Sequence, residues 1–251
     1  MSTLHSRVVR IDKLDFVQLR RMFAVFEQYY DKVTFERFLA DLSAKDDVIL
    51  LVDDGDVVQG FSTLKNLSVR VGGQEVQGLF SGDTVVAREY WGQRVLGRAF
   101  LKYLFLQKAR RPFTPYYWFL ISKGFKTYLL MANNFEDHHP RPEQPIGTWE
   151  KAVLDSFAKT LYRDEYDPTT GLISFPESHG QLRRGVAPIT DELRAKYPRI
   201  AFFEERNPTW EGGTELACIA RMTWSMPLKY TLKAYLKSER VPAALTPAAT
   251  R

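Results

Sequence analysis

Residues 84–101 constrain the fold of this chain more than any other segment. They read TVVAREYWGQRVLGRAFL, which is the pattern of an apolar strand, a short turn and then a helix. The first turn of a helix has backbone N–H groups without partners in the helix, and the helix dipole is positive there. Such a position binds phosphate, and Gly97 would let a diphosphate come close to the backbone. The segment therefore predicts a phosphate-binding turn that opens a helix.

The glycine spacing of this turn differs from that of the dinucleotide-binding and Walker motifs. Six residues of the turn instead resemble the R/Q-x-x-G-x-G/A motif of the GNAT (Gcn5-related N-acetyltransferase) superfamily. They are Arg94, Val95, Leu96, Gly97, Arg98 and Ala99. The strand before the motif, the helix after it and a further strand at residues 116–122 follow the family's order, and the resemblance covers about residues 7–135. The alternative is an ordinary strand-to-helix turn with an incidental glycine.

The resemblance implies an α/β fold with a mixed sheet, a GNAT-like acyl-CoA N-acyltransferase fold with an insertion and a C-terminal extension. The residue pattern predicts two early helices, one capped by Asp12 or Asp15 and one by Thr34, because short polar side chains accept hydrogen bonds from the first turn. An antiparallel meander and a parallel strand–helix–strand crossover should follow. The predicted strands and the later helices span residues 7–11, 48–52, 57–64, 67–71, 74–86, 95–108, 116–122 and 125–135.

Four segments divide the chain. Residues 1–135 are predicted to form the GNAT-like core, and residues 136–199 an insertion that shapes the acceptor pocket. Residues 200–224 hold the last strand pair of the sheet, predicted at residues 200–205 and 216–224. Residues 225–251 form a C-terminal helix, predicted at residues 227–236, and a tail. The alternative for the part after the core is a separate small module.

Composition limits the classes of function. Of the 251 residues, 45% are apolar, which is enough for a sizeable core, yet no run of about 18 or more apolar residues could span a membrane. The net charge of +5 suits an anionic ligand and does not require nucleic acid. The single cysteine, Cys218, lies in an apolar run, which predicts a buried core residue. With no internal disulfide and no apolar signal segment at the N-terminus, a cytoplasmic protein is expected.

Basic residues cluster on the helix that follows the turn. Arg94, Arg98 and Lys102 recur every four residues and therefore share one helix face. This face can contact phosphate or dock an acidic carrier protein, so an acyl-carrier protein is an alternative donor to free CoA. Lys108, Arg110 and Arg111 at the end of the same helix are typical of capping of the helix dipole.

The resemblance also implies a reaction, which is acyl transfer from a pantetheine thioester to an amine, with acetyl-CoA or another acyl-CoA as co-substrate. The backbone N–H groups of the six motif residues would hold the CoA diphosphate. Val85 and Val86 occupy the place where the family offers a backbone N–H to the thioester carbonyl. The amine must be neutral to attack, and the thiolate leaving group benefits from a proton.

Two residues are candidates for the proton transfers. Asp83 is the candidate general base, since a carboxylate buried in an apolar strand has a raised pKa, and the alternative is an aspartate that bonds to the backbone at a bulge or strand edge. The resemblance makes Tyr128 the candidate general acid, because the family often uses a tyrosine on the helix after the crossover. In the family this tyrosine precedes Gly-Phe, whereas here Gly124-Phe125 comes before Tyr128. The alternative for Tyr128 is an aromatic core residue.

The chain does not predict a metal site. It has four histidines, and His138 and His139 are adjacent in a proline-rich loop, a spacing that does not suit zinc. One of the two can serve as a base if the loop folds over the acceptor pocket.

These observations predict an N-acyltransferase that moves an acyl group, acetyl or longer, from a CoA or carrier-protein thioester to a small-molecule or peptide amine. No metal and no nucleic acid are expected. The alternative is a GNAT-like module that binds acyl-CoA or a partner without catalysis. The missing tyrosine pattern and the bulky Val95 and Leu96 in the phosphate turn favour this alternative.

Overall fold

The computed structural model describes residues 3–175, 181–182 and 188–226, so the helix predicted at residues 227–236 lies outside the described residues. Helices and strands alternate along the chain in the mixed α/β arrangement that the sequence predicts. The helices are α1 (Phe16–Phe26), α2 (Phe35–Ser43), α3 (Val95–Arg110), α4 (Phe125–Asn134), α5 (Thr148–Leu161), α6 (Asp191–Lys196) and α7 (Pro198–Arg206). The strands are β1 (His5–Arg10), β2 (Tyr30–Asp31), β3 (Asp47–Val52), β4 (Val58–Val71), β5 (Gln74–Val86), β6 (Tyr116–Ser122), β7 (His138–His139), β8 (Tyr166–Asp167), β9 (Leu172–Ile173), β10 (Gln181–Leu182) and β11 (Glu215–Arg221).

One large sheet carries the fold. Its strand order is β1-β3-β4-β5-β6-β11-β9-β8, with β7 paired to β11, and a separate short ladder joins β10 to β2. Strands β5 and β6 are parallel and are connected through α3, while the other paired strands run antiparallel. The predicted crossover is therefore confirmed, and the element order matches the GNAT-like α/β fold that the motif predicts.

Local capping fixes where the first two helices begin. The Asp15 side chain accepts a hydrogen bond from the backbone N–H of Gln18, and the Gln18 side chain accepts one from the backbone N–H of Asp15. Thr34 caps α2 by accepting from the N–H of Arg37. Both caps satisfy N–H groups that the first turn leaves without partners, so Asp15 rather than Asp12 starts α1.

Two strands are predicted within residues 200–224, and the prediction of the first, at residues 200–205, is wrong. Residues 200–205 lie in α7, where Pro198 occupies the first turn. Ile200 and Phe203 are both fully buried, and their spacing of three residues fits one face of a helix rather than alternate faces of a strand. The second strand, predicted at residues 216–224, is confirmed as β11.

The two strands predicted at residues 57–64 and 67–71 are in fact one continuous strand, β4.

The two faces of the sheet carry different helices. Ile49 and Leu51 of β3 belong to a cluster with α3, α4 and α7, whereas their neighbours Val48 and Leu50 pack with α1 and α2. On the side of α1 and α2, α5 packs over Phe80 and Phe119 in a further cluster. Alternate residues of a strand point to opposite faces, so the sheet is covered on both sides. Cys218 is fully buried in the cluster of α3, α4 and α7, which confirms its predicted core role.

At Gly78 of β5, helix α5 packs tightly against the sheet. A Cβ at Gly78 would lie 2.6 Å from the Cζ of Phe157, itself a fully buried ring. We therefore expect Gly78→Ala to push β5 and α5 apart and to lower the free energy of unfolding by about 1–3 kcal/mol. Urea denaturation of the two proteins measures this change. A variant as stable as the parent would show that Phe157 moves aside without cost.

Candidate active site

Strands β5 and β6 separate part-way along their length. Their register runs from Gln77 opposite Tyr116 to Ser81 opposite Leu120. Beyond that point β5 continues to Val86 along β4, whose register with β5 shifts between Ser62 and Leu64. The two parallel strands therefore diverge at their carboxyl ends. In open α/β sheets this is where ligands bind.

The backbone N–H and carbonyl of Val86 are on the side of β5 that faces this gap. Ala87 donates its N–H to the carbonyl of Gln59 on β4 at 2.7 Å, and the peptide groups of a strand alternate in direction. The N–H and the carbonyl of Val86 therefore point away from β4. The carbonyl accepts hydrogen bonds from the Tyr29 hydroxyl at 2.9 Å and from Trp91 Nε1 at 2.8 Å. Val85, one residue earlier, is buried against α1 and α2.

The predicted phosphate turn is the N-terminus of α3. Arg94 precedes the helix and has no side-chain cap bond, and its carbonyl accepts the first helical bond, from Arg98 N–H. Gly97 is exposed, and no atom lies within 4 Å of the place that a Cβ would occupy. Val95, Leu96 and Ala99 pack against the cluster of α3, α4 and α7, which anchors the turn to the sheet. The backbone around Gly97 is thus accessible to an anion.

A cavity of about 470 Å³ lies between α2 and α5, over the point where β5 and β6 separate. Its walls include Tyr30, Phe38 and Phe80, the ends of β5 and β6, and Glu215 at the start of β11. Four residues of the segment 136–199 also line it, namely Leu161, Tyr162, Glu165 and Phe175. Aromatic rings and charged groups therefore share one concave surface, as in small-molecule sites.

Asp83 lines this cavity, as a base for the reaction would have to. It is half-buried, and no hydrogen bond or ion pair joins its carboxylate to another described residue. Burial raises the pKa of Asp83, and nearby Asp41 raises it further, whereas Lys45 and Lys123 oppose the shift. Asp83 lies where the register of β4 and β5 shifts, as the alternative of a bulge position predicts, but no hydrogen bond joins its carboxylate to the backbone of the described residues.

A second carboxylate in the cavity was not predicted from the sequence. Glu215 is 9% exposed, and its Oε1 lies 3.4 Å from Nζ of Lys123. Burial raises the pKa of Glu215 and Asp83 adds to the rise, while Lys123 opposes it. The available signal was a charged residue at the end of each of two apolar strands, since Lys123 follows β6 and Glu215 opens β11.

Tyr128 lies outside the cavity. It is 1% exposed, its hydroxyl donates to the carbonyl of Pro140 at 3.1 Å, and its ring packs against Phe202 and Phe203. Burial raises its pKa above the usual tyrosine range. This placement agrees with the alternative of an aromatic core residue and separates the hydroxyl from Asp83. We therefore propose no acid role for Tyr128.

His138 and His139 do not fold over the pocket. Both are buried in β7, which pairs with β11, and neither lines the cavity. Nδ1 of His138 lies 2.7 Å from the carbonyl of Phe135, so this nitrogen carries the proton of a neutral ring. The expectation that one of the pair could reach the acceptor is wrong, because the loop forms a strand of the sheet.

His138 should make the fold sensitive to acid. Burial lowers its pKa to about 4, whereas in the unfolded chain the pKa is about 6.5. Between these values the unfolded chain binds a proton that the folded chain does not, so stability falls as the pH falls through this window. We expect the free energy of unfolding to drop by about 1–2 kcal/mol more between pH 7 and pH 5 in the parent than in His138→Gln. Urea unfolding at both pH values tests this, and equal drops would contradict it.

No protein-family model matches the sequence, and no curated protein matches it. Among solved structures, the GNAT family N-acetyltransferase YhbS of Escherichia coli, determined with CoA, is 14% identical over 54% of this chain and 70% of its own, with a TM-score of 0.39. A probable N-acyltransferase of Enterococcus faecalis is 14% identical over 51% of this chain and 32% of its own, with a TM-score of 0.40. AtaT complexed with acetyl-methionyl-tRNAfMet is 11% identical over 52% of this chain and 85% of its own, with a TM-score of 0.38.

Two further findings concern ligands and membranes. Within residues 3–175, 181–182 and 188–226, no group of three His, Cys, Asp or Glu side chains is arranged to hold a metal ion. Every helix in the same ranges is too short or too polar to span a membrane.

Proposed function

We propose that the protein transfers an acyl group, acetyl or longer, from a CoA or carrier-protein thioester to an amine. One observation carries this proposal. The gap between β5 and β6 lies at the carboxyl end of β5, from which the chain runs through residues 87–94 into α3, and Asp83 of β5 lines the cavity at the same gap. A thioester whose phosphates rest on α3 could extend its acyl end along the gap and meet an amine in the cavity.

The donor would be held mainly by the turn at the start of α3. The backbone N–H groups from Arg94 to Ala99 and the positive end of the helix dipole favour a diphosphate. Arg94 and Arg98 are exposed beside the accessible Gly97, so they can add charge-assisted hydrogen bonds. Lys102 is exposed on the same helix, which supports an acidic acyl-carrier protein as an alternative donor.

The chemistry would then use Asp83 and the backbone of β5. The N–H of Val86, which points toward the gap, would polarise the thioester carbonyl. Asp83 would take a proton from the acceptor ammonium, and burial, which raises the pKa of its carboxyl, makes it a stronger base than an exposed aspartate. The amine nitrogen forms a bond to the carbonyl carbon, the C–S bond breaks, and the thiolate leaves and takes up a proton.

The remaining assignments follow from the same arrangement. Residues 136–199 supply four side chains of the cavity, which supports the proposal that this segment shapes the acceptor pocket. Residues 1–135 would be the catalytic core, and β11 would complete the sheet beside β6. A cytoplasmic location is in keeping with Cys218, which is buried and free.

Calorimetric titration with acetyl-CoA, a long-chain acyl-CoA and free CoA tests the proposal. Binding to any of the three supports a CoA donor, and a dependence on chain length indicates which acyl group is used. Binding without release of CoA thiol over a panel of amines would favour the non-catalytic alternative. If no CoA species binds, the same titration with an acylated carrier protein decides whether the protein is an acyltransferase.

A further inference from the structure

The candidate cavity contains a cation and an anion that do not touch each other. Asp83 has no ion pair or hydrogen bond from its carboxylate to another described residue, as shown above. Nζ of Lys45 donates to the backbone carbonyl of Asp41 at 3.2 Å and lies 5.7 Å from the ring centre of Phe80. No carboxylate of the described chain lies within ion-pair distance of Lys45. The two charges nonetheless line the same cavity.

The position of Lys45 is fixed by close contact with β5. A Cβ at Gly82 would lie 3.0 Å from Cε of Lys45 and 2.6 Å from Oγ1 of Thr63. The lysine side chain therefore lies flat on the strand, immediately before Asp83. Thr63 is 1% exposed, and its hydroxyl has no hydrogen-bond partner among the described residues. Thr63 does not line the cavity, so its hydroxyl is not part of the site.

Several other charges of the cavity are already paired. Lys123 contacts Glu215 at 3.4 Å, Lys65 contacts Asp46 at 3.2 Å, and Arg37 lies 3.9 Å from Asp41. Glu165 and the exposed Lys32 are the remaining charged residues of the lining. Asp83 and Lys45 are thus half-buried residues of opposite charge that line one cavity without forming an ion pair.

We propose that the acceptor is an α-amino acid with an apolar side chain. Its amino group would meet Asp83, its carboxylate would meet Lys45, and its side chain would lie among the aromatic rings of Tyr30, Phe38 and Tyr162. This inference rests on the proposed function and names the substrate class of the same cavity. A polyamine or a simple amine has no anion to meet Lys45, so it would lack the charge-assisted hydrogen bond that a carboxylate can make there.

The step balances within these groups. Asp83 accepts one proton from the amino acid's ammonium, and the neutral nitrogen attacks the thioester carbonyl carbon. The new N–C bond forms as the C–S bond breaks, and a second proton lost from nitrogen ends on the thiolate. The products are an N-acyl amino acid and the free thiol. Lys45 acts only in binding.

Titration of the full-length protein with matched probes tests the inference. L-Phenylalanine, L-leucine and L-methionine are compared with phenethylamine and phenylalaninamide, which lack the carboxylate, in the presence and in the absence of saturating CoA. We expect at least one amino acid to bind, and the probes without a carboxylate to bind about tenfold more weakly or worse. Equal binding of amines and amino acids, or no binding of any amino acid, would overturn the inference.

Two variants separate recognition from folding. Lys45→Met keeps an unbranched chain against Gly82 but removes the charge, so it should abolish the preference for a carboxylate. Lys159→Met makes the same change at an exposed residue of α5 outside the cavity and should keep the preference. A preference that survives in Lys45→Met contradicts the assignment of the carboxylate to Lys45.

The same samples distinguish the two proposals. CoA binding without amino-acid binding overturns the acceptor class alone. Amino-acid binding without binding of CoA or of an acylated carrier protein overturns acyl transfer and leaves the cavity as an amino-acid site.

Discussion

Gly97→Glu is expected to weaken CoA binding by about 100-fold or more. The variant places a carboxylate on the exposed first turn of α3, where the diphosphate of CoA would rest. Two like charges about 4 Å apart repel by several kcal/mol at the effective dielectric of a protein surface, and about 1.4 kcal/mol corresponds to a tenfold change in affinity. Isothermal titration with acetyl-CoA measures the effect. Parent-like affinity in this variant would remove the start of α3 as the phosphate site.

Two control variants give this result its meaning. Gly97→Ala adds a methyl group where no atom lies within 4 Å, so it should keep the affinity for CoA. It should also raise the free energy of unfolding by about 0.5–1 kcal/mol, because alanine favours a helix over glycine. Gly212→Glu adds the same charge at an exposed glycine that is equally open, and it should leave binding unchanged.

Asp83→Asn should lower kcat by about 10²- to 10⁴-fold, the usual contribution of a positioned general base, with little change in the Kd for CoA. The amide has nearly the shape of the carboxylate but cannot accept the proton of the acceptor ammonium. The pH profile gives a second readout. Because a base acts when deprotonated and burial raises the pKa of Asp83, kcat/KM of the parent should rise with pH through that raised pKa. The variant should lose this dependence.

Glu215→Gln is the matched comparison for Asp83→Asn. It removes the buried carboxylate of Glu215, which is paired with Lys123, whereas the carboxylate of Asp83 forms no ion pair with a described residue. We expect Glu215→Gln to affect turnover less than Asp83→Asn, with urea unfolding used to correct for any loss of stability. The reverse order, with turnover kept in Asp83→Asn, would assign the base to Glu215.

Local sequence signals predicted the elements that depend on local physics. Asp15 and Thr34 accept hydrogen bonds from residues three positions away, so the sequence predicts the start of α2 and limits the start of α1 to Asp12 or Asp15. The apolar run of β3 and the turn before α3 are equally local. The strand prediction at residues 200–205 is wrong because tertiary packing, rather than a local signal, sets the structure there. A short run of apolar and acidic residues suits a strand or a helix, and the burial of Ile200 and Phe203 against α4 and the sheet decides for the helix.

The sequence by itself determined the Thr34 cap of α2, limited the cap of α1 to Asp12 or Asp15, and located the glycine turn at the start of α3, because each depends on residues that are neighbours in the chain. Only the tertiary structure decided which side chains share the cavity. Lys45, Asp83 and Glu215 come from α2's end, β5 and β11, and strand register and helix packing bring them together. The same packing carries Tyr128 into the core. Burial and neighbouring charges set the pKa of each carboxylate, and neither exists until the sheet has formed.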